Sequence, residues 1–180
     1  VAHGPEAAEA PLGITFPGVV HGGVVRTAAN LHESWIGTDA AALFGEVTGR
    51  PARVLNDADA AALAEARYGA ARHTSGVVLL TTLGTGIGTA LIVDGHLVPN
   101  TELGHLEIDG HDAETRASST ARERDGLSYR EWAEHRLQRY YQVVEDLLWP
   151  TLIVVGGGVS RRADEFLPHL DIRTPIVPAQ

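Results

Sequence analysis

Short apolar strands that stop at glycine-rich turns constrain this chain more than any other feature. Leu152 to Val155 runs directly into Gly156-Gly157-Gly158, and Leu83-Gly84-Thr85-Gly86-Ile87-Gly88 separates two further strand-like runs. Ala52 to Leu55 is a strand followed by a strong helix former from Ala58 to Gly69. Strands that alternate with helices predict an α/β protein, in which ligands collect at the carboxyl ends of the strands.

The remaining segments give weaker local signals. Val19 to Val25 places two β-branched pairs about Gly-Gly, which predicts a hairpin, and Asp39 is placed to cap a helix. Ser128 to Leu148 shows a period of about 3.6 residues, typical of an amphipathic helix. We expect an irregular polar stretch over 101–127 and a helix that begins near Ser160.

Composition excludes several classes of protein. The chain has 180 residues with 14 basic and 23 acidic side chains, so its net charge of -9 argues against a nucleic-acid partner. It has no cysteine, which excludes disulfides and cysteine-based zinc sites. Its apolar runs are far shorter than the roughly 20 residues of a membrane span, and no secretory signal is visible. The expected location is therefore the cytoplasm, with no membrane partner.

Asn56-Asp57 follows a strand directly and is the first candidate site. A carboxylate at a strand end can take the proton of a sugar hydroxyl as its oxygen attacks phosphorus, and the amide of Asn56 can bind a neighbouring hydroxyl. The alternative is that Asp57 or Asp59 only caps the following helix. Spacing alone leaves both interpretations open.

The two glycine-rich turns are candidate phosphate sites. Backbone amides in Gly84-Thr85-Gly86 can converge on phosphate oxygens, and Thr85 adds a hydroxyl donor. Gly156-Gly157-Gly158 lets a phosphate approach the backbone before a helix. An ordinary hairpin and tight packing are the respective alternatives, and the first turn lacks the lysine of a Walker loop.

Glu102-Leu103-Gly104-His105 begins a cluster of carboxylates and imidazoles at irregular spacing. With Glu107, Asp109, His111, Asp112 and Glu114 behind it, the segment suits several hydroxyls of one sugar. A zinc site built from His105, His111 and a carboxylate is the competing interpretation, although the spacing matches no common ligand pattern. A solvated acidic loop is the third.

Five segments taken in order resemble the ROK family of sugar kinases, repressors and related proteins. They are Thr15-Phe16-Pro17-Gly18, Asn56-Asp57-Ala58-Asp59-Ala60-Ala61, Leu83-Gly84-Thr85-Gly86-Ile87-Gly88, Glu102-Leu103-Gly104-His105 and Val155-Gly156-Gly157-Gly158-Val159-Ser160. The likeness runs from about residue 12 to residue 178. The stretch 102–118 and Glu145-Asp146-Leu147-Leu148-Trp149-Pro150 look like the branch of actinobacterial polyphosphate glucokinases.

The resemblance implies a fold and an activity. The fold would be ribonuclease-H-like (actin-like), with two lobes at residues 1–72 and 73–180, the first incomplete. The activity would be transfer of a phosphoryl group from polyphosphate, and ATP, to the 6-hydroxyl of glucose with Mg²⁺. A homodimer is expected.

The resemblance also assigns roles to single residues. Asp57 would be the general base. The sugar would be held by Gly18, Asn56, Asp57, Glu102, His105 and Glu114. Gly84, Thr85 and Gly86 would face the transferred phosphate, and Gly156, Gly157 and Gly158 the far end of the donor. No protein side chain is assigned to a metal ion.

Two departures from the family pattern qualify these expectations. The cysteine-rich zinc loop that usually follows the Glu-x-Gly-His motif is cut to residues 106–113, so we expect no structural zinc and a His105 that serves the sugar alone. The Asp-x-Gly-Gly segment with which members begin does not precede Pro11, so the chain looks truncated at its N-terminus. A ROK-type sugar-responsive repressor and an inactive fragment of the kinase are the alternatives.

Overall fold

The computed structural model describes residues 10–28 and 31–180. Within them the strands are β1 Leu12–Phe16, β2 Val20–His21, β3 Val24–Val25, β4 Ala52–Asn56, β5 Val77–Leu83, β6 Ile87–Val93, β7 His96–Val98, β8 Glu107–Ile108, β9 His111–Asp112, β10 Leu152–Gly156 and β11 Ile176–Pro178. The α-helices are α1 Ala40–Thr48, α2 Asp57–Tyr68, α3 Glu114–Ala117, α4 Ser119–Arg124, α5 Tyr129–Trp132 and α6 Gln138–Leu148. None of the helices described is long and apolar enough to cross a lipid bilayer.

The chain divides into two compact units, Val1–Ala60 and Ala61–Gln180. The boundary after residue 72 that the resemblance implies stays a prediction.

The first unit is built on the parallel pair β1 and β4. Their register places Phe16 opposite Asn56, so both strands end at the same level. The predicted hairpin is confirmed as β2 and β3. The predicted helix is confirmed as α1, because the Asp39 carboxylate accepts the Ala42 amide at 2.9 Å. Phe16 and Val54 are buried in the small core of this unit.

The second unit contains a mixed sheet whose described strands run in the order β11-β10-β5-β6-β7. β10 is parallel to β5 and β11, whereas β5, β6 and β7 are antiparallel. Asp94 and Gly95 join β6 to β7 and both have positive φ, as a two-residue hairpin turn requires; the Asp-Gly pair in the sequence is typical of such a turn. Because β5 and β10 are parallel and adjacent, their carboxyl ends meet at one edge of the sheet.

One face of this sheet is covered by the helical segment that begins with α5. The capping box of Ser128 and Glu131 starts it where the sequence predicts, and a π-helical stretch at Ala133–Leu137 joins α5 to α6. Its buried face includes Trp132 and Tyr141. The Tyr141 hydroxyl lies 2.8 Å from Thr81 Oγ1, so the hydroxyl that this packing buries on β5 is paired.

One expectation is wrong, and a second is confirmed with a different start and helix type. Residues 101–127 are not irregular, because they contain β8, β9, α3 and α4. Asp109-Gly110 makes the same positive-φ turn as Asp94-Gly95, but strands of two residues are too short to show alternation. The helix expected near Ser160 begins at Gly158 and is a 3-10 helix with non-helical backbone angles at Arg162.

Candidate active site

The two predicted phosphate turns lie side by side in the second unit. Gly156 pairs in parallel register with Thr82, one residue before the end of β5. Gly157 has φ 84°, and a Cβ there would lie 2.6 Å from the carbonyl oxygen of Leu83. Only glycine allows this approach. Close packing against β5 and binding of a ligand therefore explain the glycine at this position equally well.

The glycine loop is a tight connection between β5 and β6. The Gly84 amide donates to the Gly86 carbonyl at 3.0 Å, and the Gly84 carbonyl accepts the Thr120 amide at 3.2 Å. The start of α4 is thereby bound to the loop. Thr85, at the tip, is exposed, as a residue that contacts a phosphate would need to be.

Glu102 is held from both sides by one hydroxyl of β6. Thr89 Oγ1 donates to the Thr101 carbonyl at 2.7 Å and accepts the Leu103 amide at 3.0 Å. Thr89 is 2% exposed, so this clamp forms away from water, where hydrogen bonds are strongest. The backbone on either side of Glu102 is therefore fixed to the sheet.

Gly104 brings the next turn of the motif against the same strand. A Cβ at this position would overlap the carbonyl oxygen of Ile87. The glycine of Glu-x-Gly-His is thus required by close approach to β6, and the approach places His105 at the end of a short 3-10 helix.

His105 is bound to a carboxylate that the sequence analysis did not single out. Its Nδ1 lies 2.9 Å from Asp112 Oδ2, and its Nε2 lies 3.9 Å from Glu102 Oε2. The hydrogen bond to Asp112 raises the pKa of His105 above 6.5, with Glu114 and Glu102 acting in the same direction and partial burial opposing them.

Glu114 connects this cluster with the glycine loop. Its Oε2 accepts the Ile87 amide at 3.0 Å, its Oε1 lies 3.9 Å from His105 Nδ1, and a Cβ on Gly86 would overlap its carboxylate. One side chain therefore contacts both the loop suited to phosphate and the residues suited to hydroxyls.

The first unit holds the other predicted residues. Asn56 Nδ2 donates to the Gly18 carbonyl at 3.1 Å, and Asn56 Oδ1 accepts the Asp59 amide at 3.1 Å, so Asn56 caps α2. Asp57 is exposed, and its Oδ1 accepts the Ala58 amide at 2.9 Å. Capping and exposure thus fall on two neighbouring residues: Asn56 satisfies the helix end, and Asp57 keeps its carboxylate at the surface.

The structure brings together the predicted residues of the second unit. Glu102, His105 and Glu114 form one cluster that contacts the loop Gly84 to Gly86, beside which the turn Gly156 to Gly158 lies. Gly18, Asn56 and Asp57 form a second group, in the first unit. The sequence analysis missed Thr89, whose signal was a threonine inside a buried strand, and the pairing of Asp112 with His105.

The cluster also has the composition of a cation site. Ligand atoms of His105, Asp112 and Glu114 lie within 4.8 Å of one another. His111, which the zinc interpretation needs, has its Nε2 against the Arg116 guanidinium instead. The chain has no cysteine, and Nδ1 of His105 is occupied by Asp112, so these residues do not fit the cysteine-rich zinc site of the family pattern.

A family model described as the ROK family matches residues 3–123. The chain belongs to the ROK family. Among curated relatives, it is 53% identical over 170 residues to a polyphosphate glucokinase of Mycobacterium tuberculosis (strain CDC 1551 / Oshkosh), covering 94% of this chain and 64% of the relative. It is 52% identical over 171 residues to a polyphosphate glucokinase of Mycobacterium leprae, covering 94% and 52%. The chain thus spans about half to two thirds of these relatives.

Solved structures of family members share this fold. An inorganic polyphosphate/ATP-glucomannokinase from Arthrobacter sp. strain KM matches with a TM-score of 0.92 and 63% identity, over 97% of this chain and 70% of that one. A ROK glucokinase from Streptomyces griseus, solved with glucose and AMPPNP, matches with a TM-score of 0.78 at 22% identity, over 93% and 76%. A ROK transcriptional regulator matches with a TM-score of 0.73 at 21% identity, over 93% and 58%. The predicted ribonuclease-H-like (actin-like) fold class is confirmed.

Proposed function

We propose that the chain carries the sugar-holding and phosphate-facing residues of a phosphotransferase that moves a phosphoryl group from inorganic polyphosphate, and from ATP, to the 6-hydroxyl of glucose. The supporting observation is Glu114, whose Oε2 accepts the Ile87 amide at the glycine loop while its Oε1 lies 3.9 Å from His105. Transfer between a phosphate and a sugar needs such a junction, because catalysis of this reaction rests on positioning and on charge stabilisation.

Asp57 is the proposed general base. Its carboxylate takes the proton of the 6-hydroxyl as that oxygen bonds to the terminal phosphorus and the bond to the rest of the donor breaks. Exposure of Asp57 at the end of β4 supports this role, since a base must be open to its substrate.

The other residues keep the roles that the resemblance implies. Glu102, His105, Glu114, Asn56 and the Gly18 backbone are the proposed ligands of the sugar hydroxyls. The loop Gly84-Thr85-Gly86 faces the transferred group and Gly156 to Gly158 the far end of the donor. Mg²⁺ bound to the donor would reduce the charge on its phosphate oxygens, and no side chain of this chain is assigned to hold it.

The choice of donor rests on the relatives. The mycobacterial proteins are named polyphosphate glucokinases, and the Arthrobacter enzyme is named for both polyphosphate and ATP. Arg122 and Arg124 lie on α4, which begins at the Gly84 carbonyl, although Arg124 also pairs with Asp125 at 2.8 Å. The position of these arginines on the helix that begins at the loop supports a polyanionic donor for a chain that is acidic as a whole.

A coupled assay of glucose phosphorylation, run on the intact protein with polyphosphate and ATP supplied separately, tests the proposal. We expect turnover with each donor in the presence of Mg²⁺, and none with orthophosphate. Glucose binding without turnover on either donor would contradict the kinase and favour a ROK-type sugar-responsive repressor. Neither binding nor turnover would favour an inactive fragment.

A homodimer and a cytoplasmic location complete the proposal. Both rest on the family resemblance and on the metabolic substrates that it implies. The acidic net charge of -9 supports the absence of a nucleic-acid partner.

A further inference from the structure

We propose that Asp112 is a positioning residue that holds the His105 ring with Nδ1–H on its carboxylate, so that Nε2 is presented to the sugar. The inference rests on the proposed function, because it names the group that orients one of its sugar-binding residues. It assigns a role to a side chain that the family motifs leave without one.

The hydrogen bond to Asp112 fixes the tautomer and the orientation of the His105 ring. An ionised carboxylate only accepts hydrogen bonds, so the 2.9 Å contact from Nδ1 to Asp112 Oδ2 requires the proton on Nδ1. The ring can otherwise turn by about 180° about its χ2 angle, which would put Cδ2 in the place of Nδ1 and Cε1 in the place of Nε2. A carboxylate partner therefore selects both the tautomer and the orientation of the ring.

The other nitrogen then faces Glu102. Nε2 of His105 lies 3.9 Å from Glu102 Oε2, a separation that one hydroxyl oxygen spans with two ordinary hydrogen bonds. When the ring is protonated, Nε2–H donates to the sugar oxygen and the hydroxyl donates to Glu102. A ring turned the other way would present Cδ2 to Asp112 and Cε1 to Glu102, and both contacts would be lost.

Asp112 is itself fixed by the backbone around it. Its Oδ1 accepts the Glu114 amide at 3.2 Å, and its carbonyl accepts the Thr115 hydroxyl at 2.6 Å. Its position in β9 is set by pairing with Glu107 of β8. One carboxylate thus connects the side chain of His105 with the backbone of Glu114, another predicted sugar residue.

Steady-state kinetics of Asp112→Ala and Asp112→Asn in the intact protein test the role in catalysis. A hydrogen bond to a charged group is worth about a factor of 10 to 100, so we expect D112A to raise the KM for glucose about 10-fold or more, with the KM for polyphosphate within about twofold. D112N retains an acceptor oxygen and should recover part of the loss. Glu134→Gln, an exposed carboxylate of the same unit that pairs with Arg130, is the control and should match the parent.

A double-mutant cycle separates positioning from general damage. If Asp112 acts through His105, D112A added to His105→Ala should change the KM for glucose by less than about twofold. A full additional 10-fold loss in that background, or equal rises in the KM of both substrates, would overturn the proposal.

Nitrogen-15 NMR of the histidine rings without substrate decides the structural part independently of activity. We expect the Nδ1–H tautomer of His105 at high pH, and a lower midpoint of its titration in D112N. A parent ring with its proton on Nε2 at high pH, or an unchanged titration midpoint in D112N, would refute the contact. A parent protein that shows the contact but phosphorylates no glucose would contradict the proposed function and leave the contact standing.

Discussion

The two groups of predicted site residues are held in different ways. In the first unit, Asp57 is exposed and its carboxylate accepts the amide of the next residue along the chain. In the second unit, Glu102 is flanked by the buried clamp of Thr89, and Glu114 accepts an amide from 27 residues earlier. The proposed base is braced locally, whereas the proposed sugar ligands are braced by strands distant in sequence.

This difference fits the two tasks. Residues that hold a substrate must keep their geometry before it arrives, since ordering them on binding would reduce affinity. A base needs access to a proton that it accepts only in the transition state. Substitution of the exposed Asp57 should therefore reduce turnover with little effect on stability, and substitutions in the braces of the second unit's cluster should do the reverse.

The largest effect is expected at Asp57. Asp57→Asn removes the proton acceptor while keeping the shape of the side chain, so kcat should fall by about 10²- to 10⁴-fold with glucose binding retained. The melting temperature should stay within about 2 °C, because the side chain is exposed. Coupled kinetics measures the fall in kcat, and calorimetric titration with glucose measures whether binding is retained. Glu46→Gln on α1 is an exposed control. Turnover within a few-fold of the parent would remove Asp57 from the mechanism.

The next effect is expected at Gly104, which braces the cluster of Glu102, His105 and Glu114 in the second unit. A Cβ there meets a backbone carbonyl of β6, which cannot move away as a side chain would, so Gly104→Ala should lower the free energy of unfolding by about 1–3 kcal/mol. Gly158→Ala, in the same unit, meets nothing within 4 Å and should stay within about 0.5 kcal/mol. Urea unfolding of the two variants makes the comparison; equal stabilities would show that the segment shifts freely on β6.

The smallest effect is the pH dependence contributed by His105. The pKa of His105 is raised in the folded state by Asp112, Glu114 and Glu102. The contribution of protonated His105 to the stability of the folded state is therefore complete below about pH 6.5, and it is lost as pH rises through the raised pKa. The parent should melt at a higher temperature than D112N, and this difference should be about 1–3 °C larger at pH 6 than at pH 9. The effect is small because an exposed ion pair contributes little to stability. A difference that does not change with pH would mean that the ion pair adds nothing.

Much of the fold was predictable because its signals are local. Asp39 and Gly49 bound α1, Asp94-Gly95 makes the hairpin, and the capping box at Ser128 starts the long helical segment. The prediction failed at 107–112, where strands of two residues show no alternation. The helix expected near Ser160 is present but begins two residues earlier and has 3-10 geometry.

The polyphosphate-branch motif at 145–150 shows a further limit of sequence reasoning. Glu145 is 4% exposed, and its Oε2 accepts the amide of Thr174 at 2.9 Å and its hydroxyl at 2.8 Å. Arg173 lies over the Trp149 ring at 4.1 Å. The motif thus fixes the segment that leads into β11, a structural role that its sequence did not reveal.

The sequence by itself determined which residue types stand at the strand ends, and with them the family and the candidate sugar and phosphate residues. Only the tertiary structure decided which of these touch: Asp112 with His105, Glu114 with the Ile87 amide, and Gly104 with β6. The physical reason is that caps and turns are satisfied within a few residues, whereas a carboxylate finds a distant backbone amide only after the strands have paired and set their register.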